Sequence, residues 1–177
     1  MFNLLNNYEK ELIESDLIPS LLFEYVCGKN KKNTSLTLYE AEKNLKKDKE
    51  KLDLFKLELL SYLTITTCYL FQMTKNKKLH GKLRDRLMDG IFYIMEKNNS
   101  KSYKKFLIVL FAWQSSIEKI GNFQTSFLDK LLFQRYLDNI SLGLSFNIIE
   151  FAKKDIEFVF QNIFEKCPTL RSQLDKN

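Results

Sequence analysis

Proline and glycine are scarce in this chain, two and five among 177 residues. Few positions therefore force the backbone to turn, which favours long helices over many short strands. Histidine occurs once, at His80, which excludes a two-histidine metal site and any mechanism that needs paired imidazoles. Arginine is confined to Arg84, Arg86, Arg135 and Arg171, four of the 28 basic side chains. Its planar fork is the usual choice for bidentate contacts to phosphates and bases, so the lysine-heavy balance weakens a nucleic-acid reading. Cys27, Cys68 and Cys167 are odd in number and far apart, with no CxxC pair; that pattern points to a reducing, cytoplasmic compartment rather than a disulfide framework. The opening Met-Phe-Asn-Leu-Leu-Asn-Asn has no basic segment and soon reaches Glu9 and Glu11, so it does not read as a signal peptide. A phosphate-cradling glycine loop is absent as well, and neither cofactor nor metal is expected.

What is present is an ordinary apolar share of 45% with 28% charge, and a heavy aromatic load of 15 Phe and 8 Tyr. A core built largely from rings follows. The length suits one domain with a sizeable interior. A formal net charge of +6 permits an acidic partner without requiring one.

The dominant stretch runs from Leu38 to Met73. Leu38, Leu45, Leu52, Leu59, Thr66 and Met73 recur every seven residues, with Ala41, Asp48, Phe55, Tyr62 and Tyr69 at the intermediate positions. An a/d seam of this length without Gly or Pro predicts one long helix over about 38–73. Residues 42–56 are crowded with charge, whereas 57–73 carry only Glu58. The first half can stand in water on a single apolar stripe, and the second must be buried nearly all round. The low-charge window Leu59 to Met73 falls short of the roughly 20 residues of a spanning helix, so it reads as core.

Elsewhere, residues 2–27 predict a helical region broken near Ser15 to Pro19, with Pro19 in the first turn of a second helix and Gly28 as its stop. Thr34 or Ser35 can cap the long helix. Further helices are expected from about Leu79 to Lys97, with Leu83, Leu87, Ile91, Ile94 and Met95 buried, from Tyr103 to Ile120, and from Phe123 to Ile140. Phe106 to Trp113 is an unbroken run of eight apolar residues; helix is chosen over strand because no partner strands are visible. The last helix, Phe146 to Lys166, should end before Cys167-Pro168, leaving 169–177 as a polar tail.

Three features bear on function. The basic cluster Lys75, Lys77, Lys78, His80, Lys82, Arg84 and Arg86 lies at a helix start, where an anion held by exposed amides would offset cations of the wrong sign for the helix dipole; a solvated lysine-rich turn is the plainer account. On the last helix, Ile149, Ala152, Ile156, Val159, Phe160 and Ile163 share one face, while Phe151 and Phe158 fall on the far side among polar residues. Two rings there must meet another element or form an exposed patch. Together with Leu45, Leu52 and Phe55 on the charged half of the seam, they are the candidate partner-binding residues. Asp85, Asp89 and Glu96 line one helix side, but Lys82, Arg84 and Arg86 sit close enough to neutralise them. A dyad of His80 with Cys27, Cys68 or Cys167 depends on spatial adjacency that the sequence does not show, and a cysteine acting as a small hydrophobe is the plainer account. No assembled catalytic constellation appears, which argues against an enzyme.

The sequence therefore predicts an all-α, single-domain bundle of about six to seven helices, with residues 1–168 as the domain. Its expected role is a non-catalytic interaction protein acting through helix packing, with a protein partner or a second copy. Nucleic acid or another polyanion bound at residues 75–86 is the alternative, and a membrane partner is disfavoured.

Overall fold

The structure, a computed structural model, describes residues 7–28, 35–74, 77–98, 100–118, 130–132, 134–135 and 148–174. It is all-α. Eight helices appear among the described residues: α1 (Asn7–Ser15), α2 (Leu17–Cys27), α3 (Leu36–Asn44), α4 (Lys49–Gln72), α5 (Lys77–Asn98), α6 (Ser100–Glu118), α7 (Ile148–Lys166) and α8 (Pro168–Leu174). Residues 130–132 and 134–135 are also helical.

α4 is the centre of the bundle and touches α2, α3, α5, α6 and α7. From Leu57 to Thr67 every residue is buried, which is the consequence of a stretch with only one charge. Its threonine hydroxyls are accommodated by the helix itself: Thr64, Thr66 and Thr67 donate to the carbonyls of Leu60, Tyr62 and Leu63 at 2.8, 2.7 and 2.8 Å. Such back-bonding lets a polar side chain enter the core without an unmet donor. α4 is the one helix among the described residues long and apolar enough to cross a membrane, and 78% of that window is buried inside the fold.

The long helix begins at Lys49 rather than near Leu38. Leu45 to Asp48 break the stretch in two, and Asp48 starts the second piece by accepting the Lys51 amide at 3.1 Å. Asp48 occupies a seam position where an apolar residue belongs, so the heptad count runs straight through an N-cap. Upstream, Ser35 caps α3 by accepting from Leu38 N at 3.0 Å.

Other boundaries fall close to where the sequence places them. The α1–α2 break is at Asp16, Pro19 lies in the first turn of α2, and the run Phe106 to Trp113 is helical. Gly28 ends α2 with φ −66°, so it stops the helix in extended rather than left-handed backbone. On α5, Leu79, Leu83, Leu87, Ile91 and Met95 are buried while Ile94 is half-buried. Gly90 of the same helix lies against Pro19: a Cβ there would sit 2.4 Å from the proline Cγ, so the absent side chain is what lets α2 and α5 approach. Most of the expected helix from Phe123 to Ile140 lies outside the described residues.

The polar tail is a correction. Pro168 opens α8 instead of merely ending α7, a role suited to its fixed φ and missing amide. Glu14 of α1 accepts Thr169 N at 3.2 Å and Thr169 Oγ1 at 3.0 Å, and Leu170 is buried.

Candidate interaction surfaces

The seam residues do not face outward together. Leu45 and Phe55 are 6% and 0% exposed, within the chain's own core, and Leu52 is half-buried against it. The break at 45–48 lets α3 turn its stripe onto α7 and α4. The charged half-helix thus finds its apolar partners inside the chain, and Leu45 and Phe55 are withdrawn from a partner surface.

Phe151 and Phe158 are also not equivalent. Phe151 is half-buried. Phe158 remains 39% exposed and stacks on Tyr25 of α2, ring centroids 5.3 Å apart. Together with Leu17, which is 53% exposed, and Leu21, these rings line a groove of about 490 Å³ between α2 and α7, with Glu24 and Lys166 also in its wall. The sequence points to Phe158; the α2 side of the groove is not readable from it, because Leu17 and Leu21 look like ordinary core positions.

The basic cluster is dispersed by its neighbours. Arg86 donates to the carbonyl of Leu12 at 2.6 Å and pairs with Asp16 at 3.2 Å, so it serves the C-terminal end of α1, where a cation is favoured. Arg84 pairs with Asp85 at 3.0 Å. Lys82 lies 4.9 Å from the centroid of the Tyr8 ring, a cation–π contact. Lys77 and Lys78 are exposed at the start of α5, and Lys75 lies outside the described residues.

Two of the buried carboxylates, Asp155 and Glu58, have partners that the sequence does not reveal. Asp155, fully buried on α7, accepts from Tyr25 Oη at 2.8 Å, from Ser35 Oγ, and from the amides of Leu36 and Thr37 at 2.8 and 3.0 Å. It therefore satisfies the first orphan amides of α3 from across the fold, next to the positive end of that helix. Desolvation, with the charge and hydrogen bond of Asp155 added to it, pushes the Tyr25 hydroxyl well above its ordinary pKa. The other is Glu58 of α4, 1% exposed. It accepts from Trp113 Nε1 at 2.7 Å and from Arg135 Nε and Nη2 at 2.7 and 2.8 Å, the bidentate geometry that suits arginine. The guanidinium also lies 5.8 Å from the Trp113 ring centroid. Both carboxylates are committed to holding helices together.

The thiols are poor nucleophiles. Burial pushes Cys27 up to about 11, Cys68 up to about 12 and Cys167 up to about 11, the opposite of what thiolate chemistry requires. His80 Nε2 lies 2.7 Å from the Thr74 carbonyl; it is the donor there, since a carbonyl can only accept. Asp85, Asp89 and Glu96 are all exposed. Among the described residues no three His, Cys, Asp or Glu side chains gather as a metal site. No protein-family model, curated protein or solved structure matches the chain.

Proposed function

We propose that the chain is a non-catalytic helical interaction protein, of the adaptor, inhibitor, immunity-type or assembly-subunit kind, working through helix packing in a cytoplasmic compartment. The observation that carries the reading is the α2–α7 groove, where Phe158 and Leu17 stay exposed on helices that are otherwise well packed. A groove with aromatic and aliphatic walls on rigid helices suits the apolar stripe of an amphipathic helix. Aromatic anchors of this kind carry a large share of binding energy at protein interfaces. The polyanion alternative loses support, because Arg84 and Arg86 are engaged by Asp85 and by Asp16 with the Leu12 carbonyl.

A displayed library of amphipathic helical peptides, selected on the immobilised protein, tests the proposal. Peptides should be enriched that bind the wild type and lose about tenfold or more in affinity to Phe158→Glu or Leu17→Glu. Enriched binders that ignore both substitutions, or no enrichment at all, would remove the groove from consideration.

A further inference from the structure

The apolar run on α6 serves two faces. Phe106, Val109, Leu110 and Trp113 are buried in the core, whereas Ile108 and Phe111 are 69% and 60% exposed. The outer face of this helix carries an ordered series. Lys101, Lys104, Ile108, Phe111, Ser115 and Glu118 are all exposed, and they are separated by alternating steps of three and four residues. That is the spacing of a coiled-coil seam. Lys105, exposed as well, flanks the row on the side of α4.

The series is also symmetric about its middle, between residues 109 and 110. It starts basic, is apolar at the centre, and ends polar and then acidic. A two-fold axis through that midpoint would lay a second copy of α6 antiparallel to the first. Lys101 would then face Glu118 of the second copy, Lys104 would face Ser115, and Ile108 would face Phe111. A parallel arrangement would instead place Lys101 and Lys104 against themselves, which is repulsive. Antiparallel pairing also opposes the two helix dipoles favourably. A groove of about 630 Å³ between α4 and α6, with Ile108 in its wall and Leu54 and Leu57 beside it, gives space for the Phe111 ring brought opposite. We infer that the α6 stripe is the self-association surface of this protein: two copies paired antiparallel through α6 in an isologous contact.

This surface is distinct from the α2–α7 groove, so the two readings stand or fall separately. Sedimentation equilibrium across a concentration series is the test. The wild type should be a dimer. The double variant Ile108→Glu/Phe111→Glu should weaken dimerisation about 100-fold or more, because two apolar side chains per copy would no longer be buried. Its circular dichroism should stay close to wild type, since both positions are exposed, and its melting should match that of wild type diluted until the dimer dissociates. Lys101→Glu alone and Glu118→Lys alone should each weaken the dimer several-fold, as expected of rim charges.

Mixing those two single variants should restore association as a heterodimer, because both contacts between positions 101 and 118 across the axis then join opposite charges. Combining both changes in one chain should restore the homodimer. Leu17→Glu and Phe158→Glu should leave the dimer unchanged. A wild type that remains monomeric at about 300 μM overturns the inference and leaves a heterologous helix as the occupant of the stripe. So does a dimer indifferent to the Ile108→Glu/Phe111→Glu change. A dimer broken by that change but not rescued by the charge exchange overturns the antiparallel arrangement.

Discussion

Glu58 and Asp155 are both carboxylates buried to within 1% of complete, yet they are neutralised by different means. Glu58 meets a full opposite charge in the guanidinium of Arg135, with an indole N–H alongside. Among the described residues Asp155 meets dipoles alone, two hydroxyls and two amides at the start of a helix. The first solution concentrates the compensation in one side chain, so removing that side chain strands a charge. The second spreads it over four donors on two elements, so no single donor is decisive. The first is brittle and the second is tolerant.

The largest effect should come from the brittle site. Arg135→Ala leaves Glu58 buried without its cation and should cost about 3–5 kcal/mol, read as a lowered urea midpoint. Replacing both members, as in Glu58→Gln with Arg135→Met, should recover much of that loss, because the uncompensated charge has gone. A loss under about 1 kcal/mol for Arg135→Ala would mean that Glu58 is held by Trp113 and solvent instead, and the contrast would collapse.

Asp155→Ala should follow at about 2–4 kcal/mol, since it leaves several buried donors unmet. Hydrogen exchange should report it locally, with protection lost at Leu36 and Thr37 before the α4 core responds. Uniform loss through the whole bundle would contradict a role centred on α3. Smaller again is Tyr25→Phe, which deletes one donor of four and should cost about 0.5–1.5 kcal/mol. A cost as large as that of Asp155→Ala would show that the donors do not share the load.

The thiols, Cys167 buried and Cys27 and Cys68 half-buried, sharpen the contrast from the other side, because they are held neutral and need no compensation. Their folded values of about 11 to about 12 lie above the ordinary 9.0. The folded chain therefore holds protons that the unfolded chain releases. The associated stability is complete below pH 9 and is lost as pH rises through the folded values. Thermal melting should decline gradually above that pH, and thiol reagents should label the folded protein far more slowly than the unfolded chain at pH 8. Rapid labelling at pH 8 would mean that Cys27 or Cys68 is more open than its surroundings imply.

Much of this architecture is legible in the residues. Scarce Gly and Pro, the stripe of α5 and the low charge after Glu58 predict helices and a central buried one, and the structure has them. The length of that central helix is overestimated because the seam hides its own interruption: Leu45 and Leu52 keep the seven-residue spacing across a turn, and the only trace of the break is Asp48 at an apolar position. Asp155 leaves a similar trace. It lies three residues after Ala152 and four before Val159, in the middle of the apolar face of α7, where a carboxylate must be satisfied or expelled. The trace announces a partner but cannot name it, since Tyr25 and Ser35 are more than a hundred residues upstream. For the same reason Glu58 is conspicuous in the sequence while Arg135 is not. Pro168 reads there only as a terminator, although it is equally suited to begin a helix. The exposed rings divide along the same line: Phe158 can be found from its own helix, whereas Leu17 requires knowledge of which helix lies beside it.

The position of Asp155 in the chain also sets an order of events during synthesis. Ser35 and the first amides of α3 emerge early, but their acceptor is made about 120 residues later. At about 5–20 residues per second this is a delay on the order of ten seconds. Thr169 completes its contact with Glu14 later still. The opening helices therefore leave the ribosome without the carboxylate that secures the start of α3, and the bundle is closed by its last fifth. A nascent chain arrested before residue 148 should expose α3 to protease, and release of the full chain should protect it.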